Sequence, residues 1–243
     1  MDIQLTLGEI VLTSTITNSL LVIAGLTIFF IICSIVIKKA DPTKPSTGFM
    51  GVLEFIYSAI SDFAHNSIGE KGLKFIPFVA TTASYLAIAN LVGLLGLTPP
   101  TTDVNITVAL TVIALVYIMF SGIFQKGLLK YLKDTYIGDI RGFLLILFIP
   151  ISIIGEFSKI VSLSFRLFGN VVSGALLLSL LTGLLAWLFT LWMPVGGILS
   201  GALSLSVLPI LNAYFDVFAG LMQTFIFCTL TTMWIKSAVE SEA

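Results

Sequence analysis

Residues 143–191 read FLLILFIPISIIGEFSKIVSLSFRLFGNVVSGALLLSLLTGLLAWLFTL, a run whose only charges are Glu156, Lys159 and Arg166. As one α-helix this stretch is about 73 Å long, far more than the roughly 20 residues that cross a bilayer upright. Either it breaks into two spans or it crosses once at a strong tilt. Parity favours the single tilted passage, because residues 198–235 then return and leave Lys236 on the side of the other basic connectors.

Working outward, composition makes the solvent a membrane. Of the 243 residues 57% are hydrophobic and 10% charged, and mean hydropathy is +1.09. Soluble domains carry about a quarter charged residues, so most of this surface faces lipid. The formal charge of −1 points to no nucleic-acid partner. Cys33 and Cys228 lie inside apolar runs and read as small buried hydrophobes rather than a disulfide or a metal site.

Residues 18–37 hold no charge and form the first span; the run ends in Lys38-Lys39 instead of a cleavage site and reads as a retained anchor. Residues 49–68 set Phe49, Val52, Phe55, Ile56, Ala59, Ile60 and Phe63 at helical spacing, an amphipathic interfacial helix on which His65 is solvated. Residues 75–98 form the second span, closed by Pro99-Pro100, and 106–124 the third. Residues 143–191 and 198–235 complete an all-α integral membrane protein in a single membrane domain, 1–243, with about five transmembrane helices, the last two long and strongly tilted. Ten of the twelve basic residues fall at 38–44, 71–74, 126–141 and Lys236. An outer N-terminus then puts these clusters and the C-terminus on the cytoplasmic side.

A charge at mid-membrane costs at least about 2.5–3.5 kcal/mol and is functional by default. Arg166 cannot escape that cost by losing its proton, since the guanidinium pKa exceeds about 12. At 100° per residue Lys159, Ser162, Arg166, Asn170 and Ser173 fall within roughly 40° of one meridian, with Glu156 about 80° away. On the last helix Asn212, Asp216, Gly220 and Gln223 share a face, and Ala219 and Gly220 let another backbone approach. Glu156 and Lys159, spaced i, i+3, read equally as a plain helix pair or as pathway groups. Asp103 and Asn105 are candidates to cap the third span or to mark, with Asn90, an entrance to the polar stripes. No Walker, HExxH, GxSxG or CxxC motif occurs, so no catalytic site, nucleotide, cofactor or zinc is expected.

The string SLSFRLFGNVVSGALL at 162–177 resembles the central signature of subunit a of F-type ATP synthases. NLVGLLGLTP at 90–99, TTDVNITVAL at 101–110 and LMQTFIFCTLTTMWI at 221–235 are similar in order and spacing, so the resemblance covers about residues 45–236. It implies that Arg166 is the stator arginine facing the ring of c subunits, with Gln223 at nearly the same depth, so that a cysteine at Leu167 or Gln223 should crosslink to a c subunit. It further implies two offset half-channels for protons or Na⁺, and as partners the c-ring, the b-subunit stalk and the rest of the synthase. Two departures stand out. The position nine after the arginine, often Glu in bacterial members and His in mitochondrial ones, is Ala175, and seven before Gln223 stands Asp216, which could supply the missing group. Glu156, ten before Arg166, resembles a bacterial arrangement and implies a bacterial plasma membrane. The rival reading is a self-contained secondary transporter whose Arg166 binds an anionic substrate, but such folds carry repeats with helices broken at mid-membrane, and neither is evident.

Overall fold

The computed structural model describes backbone for residues 6–7, 10–11, 13–39, 48–137, 144–192 and 196–239, and side chains for 13–39, 48–69, 73–137, 146–187, 209–211, 213–214 and 216–239. Lys44, Arg141 and the side chains of Lys71 and Asn212 lie outside the described residues. Seven α-helices follow in order: α1 (Ser14–Lys39), α2 (Phe49–Ile68), α3 (Ile76–Leu91), α4 (Val104–Lys126), α5 (Leu128–Tyr136), α6 (Leu144–Trp192) and α7 (Gly196–Val239). A two-residue ladder, Thr6–Leu7 with Ile10–Val11, precedes them.

Five stretches are long and apolar enough to cross a membrane: Ser14–Lys39, Leu73–Leu95, Val104–Lys126, Ile146–Trp187 and Pro209–Val239. The expected all-α membrane class is borne out, and the chain is a multi-pass membrane protein. Each span stops for a local reason. α3 tightens into a 3-10 turn that ends at Gly96, whose φ of +74° only glycine adopts without strain, and Pro99-Pro100 follow. α4 starts where the Asp103 carboxylate accepts a bond from the Asn105 backbone N–H at 2.9 Å, an N-cap. It ends at Gly127, φ +81°, where the chain turns directly into α5.

α5 corrects the reading of 126–141 as a plain basic connector. Its Tyr131 is buried, seated against Gly122 of α4, and Lys126 pairs with Asp134 at 3.5 Å across the corner. The apolar face of α2 leaves Phe49, Val52, Phe55 and Ile56 exposed, while Phe63 meets Phe225 of α7 with ring centroids 6.0 Å apart.

The core lies among α3, α4, α6 and α7. Leu86, Ala114, Leu163, Leu167 and Phe227, one or two from each helix, form one buried cluster. Ile68, Phe75, Ile118, Ile235 and Val239 form another beside α2, with Phe78 stacked on Tyr117 at 3.8 Å. α1 stands at the periphery and touches α3 through Val22, Leu26 and Val92.

Water supplies no hydrophobic drive between helices in lipid, so close backbone approach and interhelical hydrogen bonds carry the association. Gly220 makes a tight approach of α7 to α3: a Cβ there would lie 2.8 Å from the Cβ of Asn90. Gly220→Ala should destabilise the detergent-purified protein by about 1–3 kcal/mol through overpacking. Gly183→Ala, in open space on α6, should cost nothing. Thermal unfolding of the two variants checks this, and equal melting shifts would contradict the packing account.

Candidate functional site

The Gly220 approach brings polar groups from three helices together. Asn90 Nδ2 donates to the Gly220 carbonyl at 3.4 Å, and Thr101 Oγ1 donates to Asn90 Oδ1 at 2.8 Å, which ties the loop between α3 and α4 into the bundle. Thr224 Oγ1 donates to the same Gly220 carbonyl at 2.8 Å. From α6, Asn170 Nδ2 donates to the Ala219 carbonyl at 3.4 Å. Buried amides in lipid need such partners, and here each amide joins two elements.

Between these groups a cavity of about 40 Å³ remains, lined by Asn90, Pro99, Asn170, Gly174, Asp216 and Gln223 among others. A water molecule needs roughly 10–15 Å³ on this measure, so the space holds a few. Gln223 is 2% exposed and its Nε2 has no hydrogen-bond partner among the described residues. Asp216 fits because the 3-10 turn after α3 offers it room: Oδ2 lies 3.0 Å from where a Cβ on Gly93 would stand. The polar faces of α6 and α7 thus converge on one another and on α3. The antiparallel register that sets Asn170 against Ala219 brings Ser173 level with Asp216, with Ala175 two residues, about 3 Å, farther along.

Arg166 faces the other way. Its neighbours Leu163 and Leu167 fill the core, while Arg166 is exposed at the middle of the span Ile146–Trp187. Among the described residues it makes no hydrogen bond and no ion pair. Val161, Phe165 and Leu176 on α6 and Met222 and Phe225 on α7 are exposed. Ser162 and Ser173 are also exposed, Ser173 Oγ donating back to the Asn170 carbonyl at 3.1 Å. One expectation fails at this point. Leu167 is fully buried and Gln223 nearly so, because both turn toward the helix interface, so a cysteine at either position could not reach a neighbouring chain.

Toward the start of α6, Lys159 Nζ pairs with Glu156 Oε1 at 2.5 Å and lies 5.7 Å from the centroid of the Trp234 ring on α7. Tyr131 of α5 closes on the same place. Burial raises its phenol pKa above the ordinary value, and the Glu156 carboxylate pushes in the same direction. At the other end of the spans Asp103 both caps α4 and accepts a bond from Thr15 Oγ1 of α1 at 3.0 Å; Asn105 is exposed beside it, and Asn90 lies deeper, at the cavity.

Sequence reasoning passed over Gly93, Pro99, Thr101, Thr224, Tyr131 and Trp234. A run of small and apolar residues gives no sign of which of them borders a carboxylate, and the periodicity of one helix does not name its neighbours. No three His, Cys, Asp or Glu side chains gather to hold a metal among the described residues.

The sequence matches the family model described as ATP synthase A chain over residues 19–236. It is 31% identical over 217 residues to ATP synthase subunit a of Mycoplasma pneumoniae, covering 85% of this chain and 73% of that one. It is 32% identical over 229 residues to ATP synthase subunit a of Helicobacter pylori strain P12, covering 93% and 91%. The chain therefore belongs to the ATP synthase A chain family, that of ATP synthase subunit a.

Proposed function

We propose that this chain is the ion-translocating stator of the synthase's membrane sector, with no catalytic site of its own, working against a ring of c subunits and held by the b-subunit stalk. The observation that carries the reading is Arg166, a permanent cation exposed at mid-span in an apolar face and unpaired among the described residues. A guanidinium left bare to hydrocarbon is costly, so an anion of another chain must meet it. A carboxylate on each c subunit, arriving in turn, supplies that anion.

In this reading an ion enters past Asp103, Asn105 and Asn90 and reaches the cavity of Asp216 and Asn170, with Gln223 as a further polar contact. It binds a c-subunit carboxylate, rides the ring, and leaves past Glu156, along a route edged by Ser162 and Lys159, with Ser173 edging the entry side. Arg166 stands between the two half-channels and repels a cation that would pass directly from one to the other. It also pairs transiently with each carboxylate and so displaces its ion. Each elementary charge that crosses gains about 2.3 kcal/mol per 100 mV, which several ions per turn accumulate toward ATP formation elsewhere in the complex. The basic ends of the spans, at Lys38-Lys39, Lys126 and Lys236, support an outer N-terminus and a cytoplasmic C-terminus in a bacterial plasma membrane.

Arg166→Ala should abolish ion-driven ATP synthesis in inverted vesicles without preventing assembly. Arg166→Lys should fail nearly as badly, because a compact, strongly hydrated ammonium lacks the planar fork that pairs with carboxylates. Normal synthesis by the alanine variant would overturn the stator reading.

Asp216 lies seven residues before Gln223, about 10.5 Å along the axis, and Ala175 nine after Arg166, about 13.5 Å. On antiparallel helices these offsets run to the same side. Asp216→Ala should therefore slow translocation, and Ala175→Glu added to it should restore part of the rate. A double variant no faster than Asp216→Ala would mean that the two positions serve no common channel.

A further inference from the structure

The apolar stretch of α6 carries two cations, and the chain treats them differently. Arg166 is free of partners among the described residues, whereas Lys159 is held from two directions. Glu156 takes its ammonium through Oε1, and Trp234 presents its ring from α7 at 5.7 Å, inside the roughly 6 Å reach of a cation–π contact. Lys159 precedes Arg166 by seven residues, two turns, or about 10.5 Å along the axis. Its charge is a point at the end of a flexible four-carbon stem. Glu156, on the same helix, pairs with that charge but does not fix the side from which it approaches.

Trp234 does so from outside the helix. Its α7 neighbour Ile235 is fully buried and Trp234 packs against both core clusters, so the ring is a fixed platform. With Lys159 occupying Oε1, the second oxygen of Glu156 makes no hydrogen bond among the described residues. Tyr131, buried against Gly122, bounds the cluster from α5.

We propose that Trp234 is a positioning residue for ion passage at Glu156: its ring holds the Lys159 ammonium against α7, which keeps that positive charge out of the route on this side, in either direction of flow, and leaves one oxygen of Glu156 open to a passing cation. This rests on the stator reading above. Freed from the ring, Lys159 would sweep the route with a like charge and compete for both oxygens of Glu156.

The test is ATP-driven ion uptake by inverted vesicles carrying the whole synthase, with Trp234→Leu made alone and in a Lys159→Met background. Trp234→Leu alone should slow uptake about threefold to tenfold, in keeping with a cation–π contact of ordinary strength. In the Lys159→Met background the same change should leave the rate unaltered, because no ammonium remains to be held. Equal slowing in both backgrounds would show that Trp234 acts through packing alone and would overturn the proposal. If Trp234→Leu does not assemble, Trp234→Phe replaces it; its ring is a weaker cation platform, and about a twofold loss confined to the Lys159 background is expected. Arg166→Ala runs alongside: uptake by that variant at the normal rate defeats the stator reading itself, while its loss together with equal slowing by Trp234→Leu in both backgrounds defeats only the role of Trp234.

Discussion

A guanidinium cannot discharge itself in hydrocarbon, and this chain turns one outward at the middle of its longest helix. The rest of the architecture follows from that constraint. Leu163 and Leu167 turn inward to anchor α6 on α3, α4 and α7, and this fixes the rotation of the helix so that Arg166 must face away. The same rotation leaves Asn170 at the border between the buried and the open side, where it reaches α7. A static charge buried against its own chain would be replaced at no loss by apolar packing. In the proposed reading this open cation, unpaired among the described residues, meets the carboxylates of a moving partner in turn.

The polar groups around Asp216 obey the complementary rule. An amide taken into a lipid-embedded bundle needs partners, and Asn90 and Asn170 find them in the backbone carbonyls of Gly220 and Ala219, whereas Gln223 Nε2, at the cavity, has none among the described residues. Those bonds stitch α3, α6 and α7 together where Gly220 sits close against Asn90, and Gly93 and Gly220 leave the space that this needs. The cavity is therefore a product of packing as much as of polarity. Its carboxylate comes from α7, about 3 Å along the axis from the level of Ala175 on α6.

Much of this was legible in the sequence, and the rest was not for physical reasons. The spans could be read because the insertion of 20 apolar residues is decided by local composition alone. The common face of Lys159, Arg166 and Asn170 could be read because helical periodicity is local as well. What periodicity cannot supply is the rotation of that face relative to the neighbouring helices. For that reason Leu167 and Gln223 were expected against a partner and instead lie in the core. The nine residues of α5 escaped notice because a short amphipathic helix among lysines has the composition of a loop, and its anchor, Tyr131, is seated against Gly122 of the preceding span, a contact that composition does not reveal. Nothing in the sequence around Trp234 marks it as facing Lys159, because that contact depends on how α6 and α7 pack.

The central claim is that the outward face bearing Arg166 is covered by a c subunit. The most direct measurement is disulfide crosslinking from that face in the intact complex, with cysteine introduced at Ser162, which is exposed one turn before Arg166. Cys33 and Cys228 are buried and give little background. The account predicts a crosslink to a c subunit near its membrane carboxylate that stops ATP-driven ion uptake until it is reduced, and no such product from a cysteine at Ile28 on the peripheral α1. Crosslinking of both positions alike, or of Ile28 alone, would contradict it.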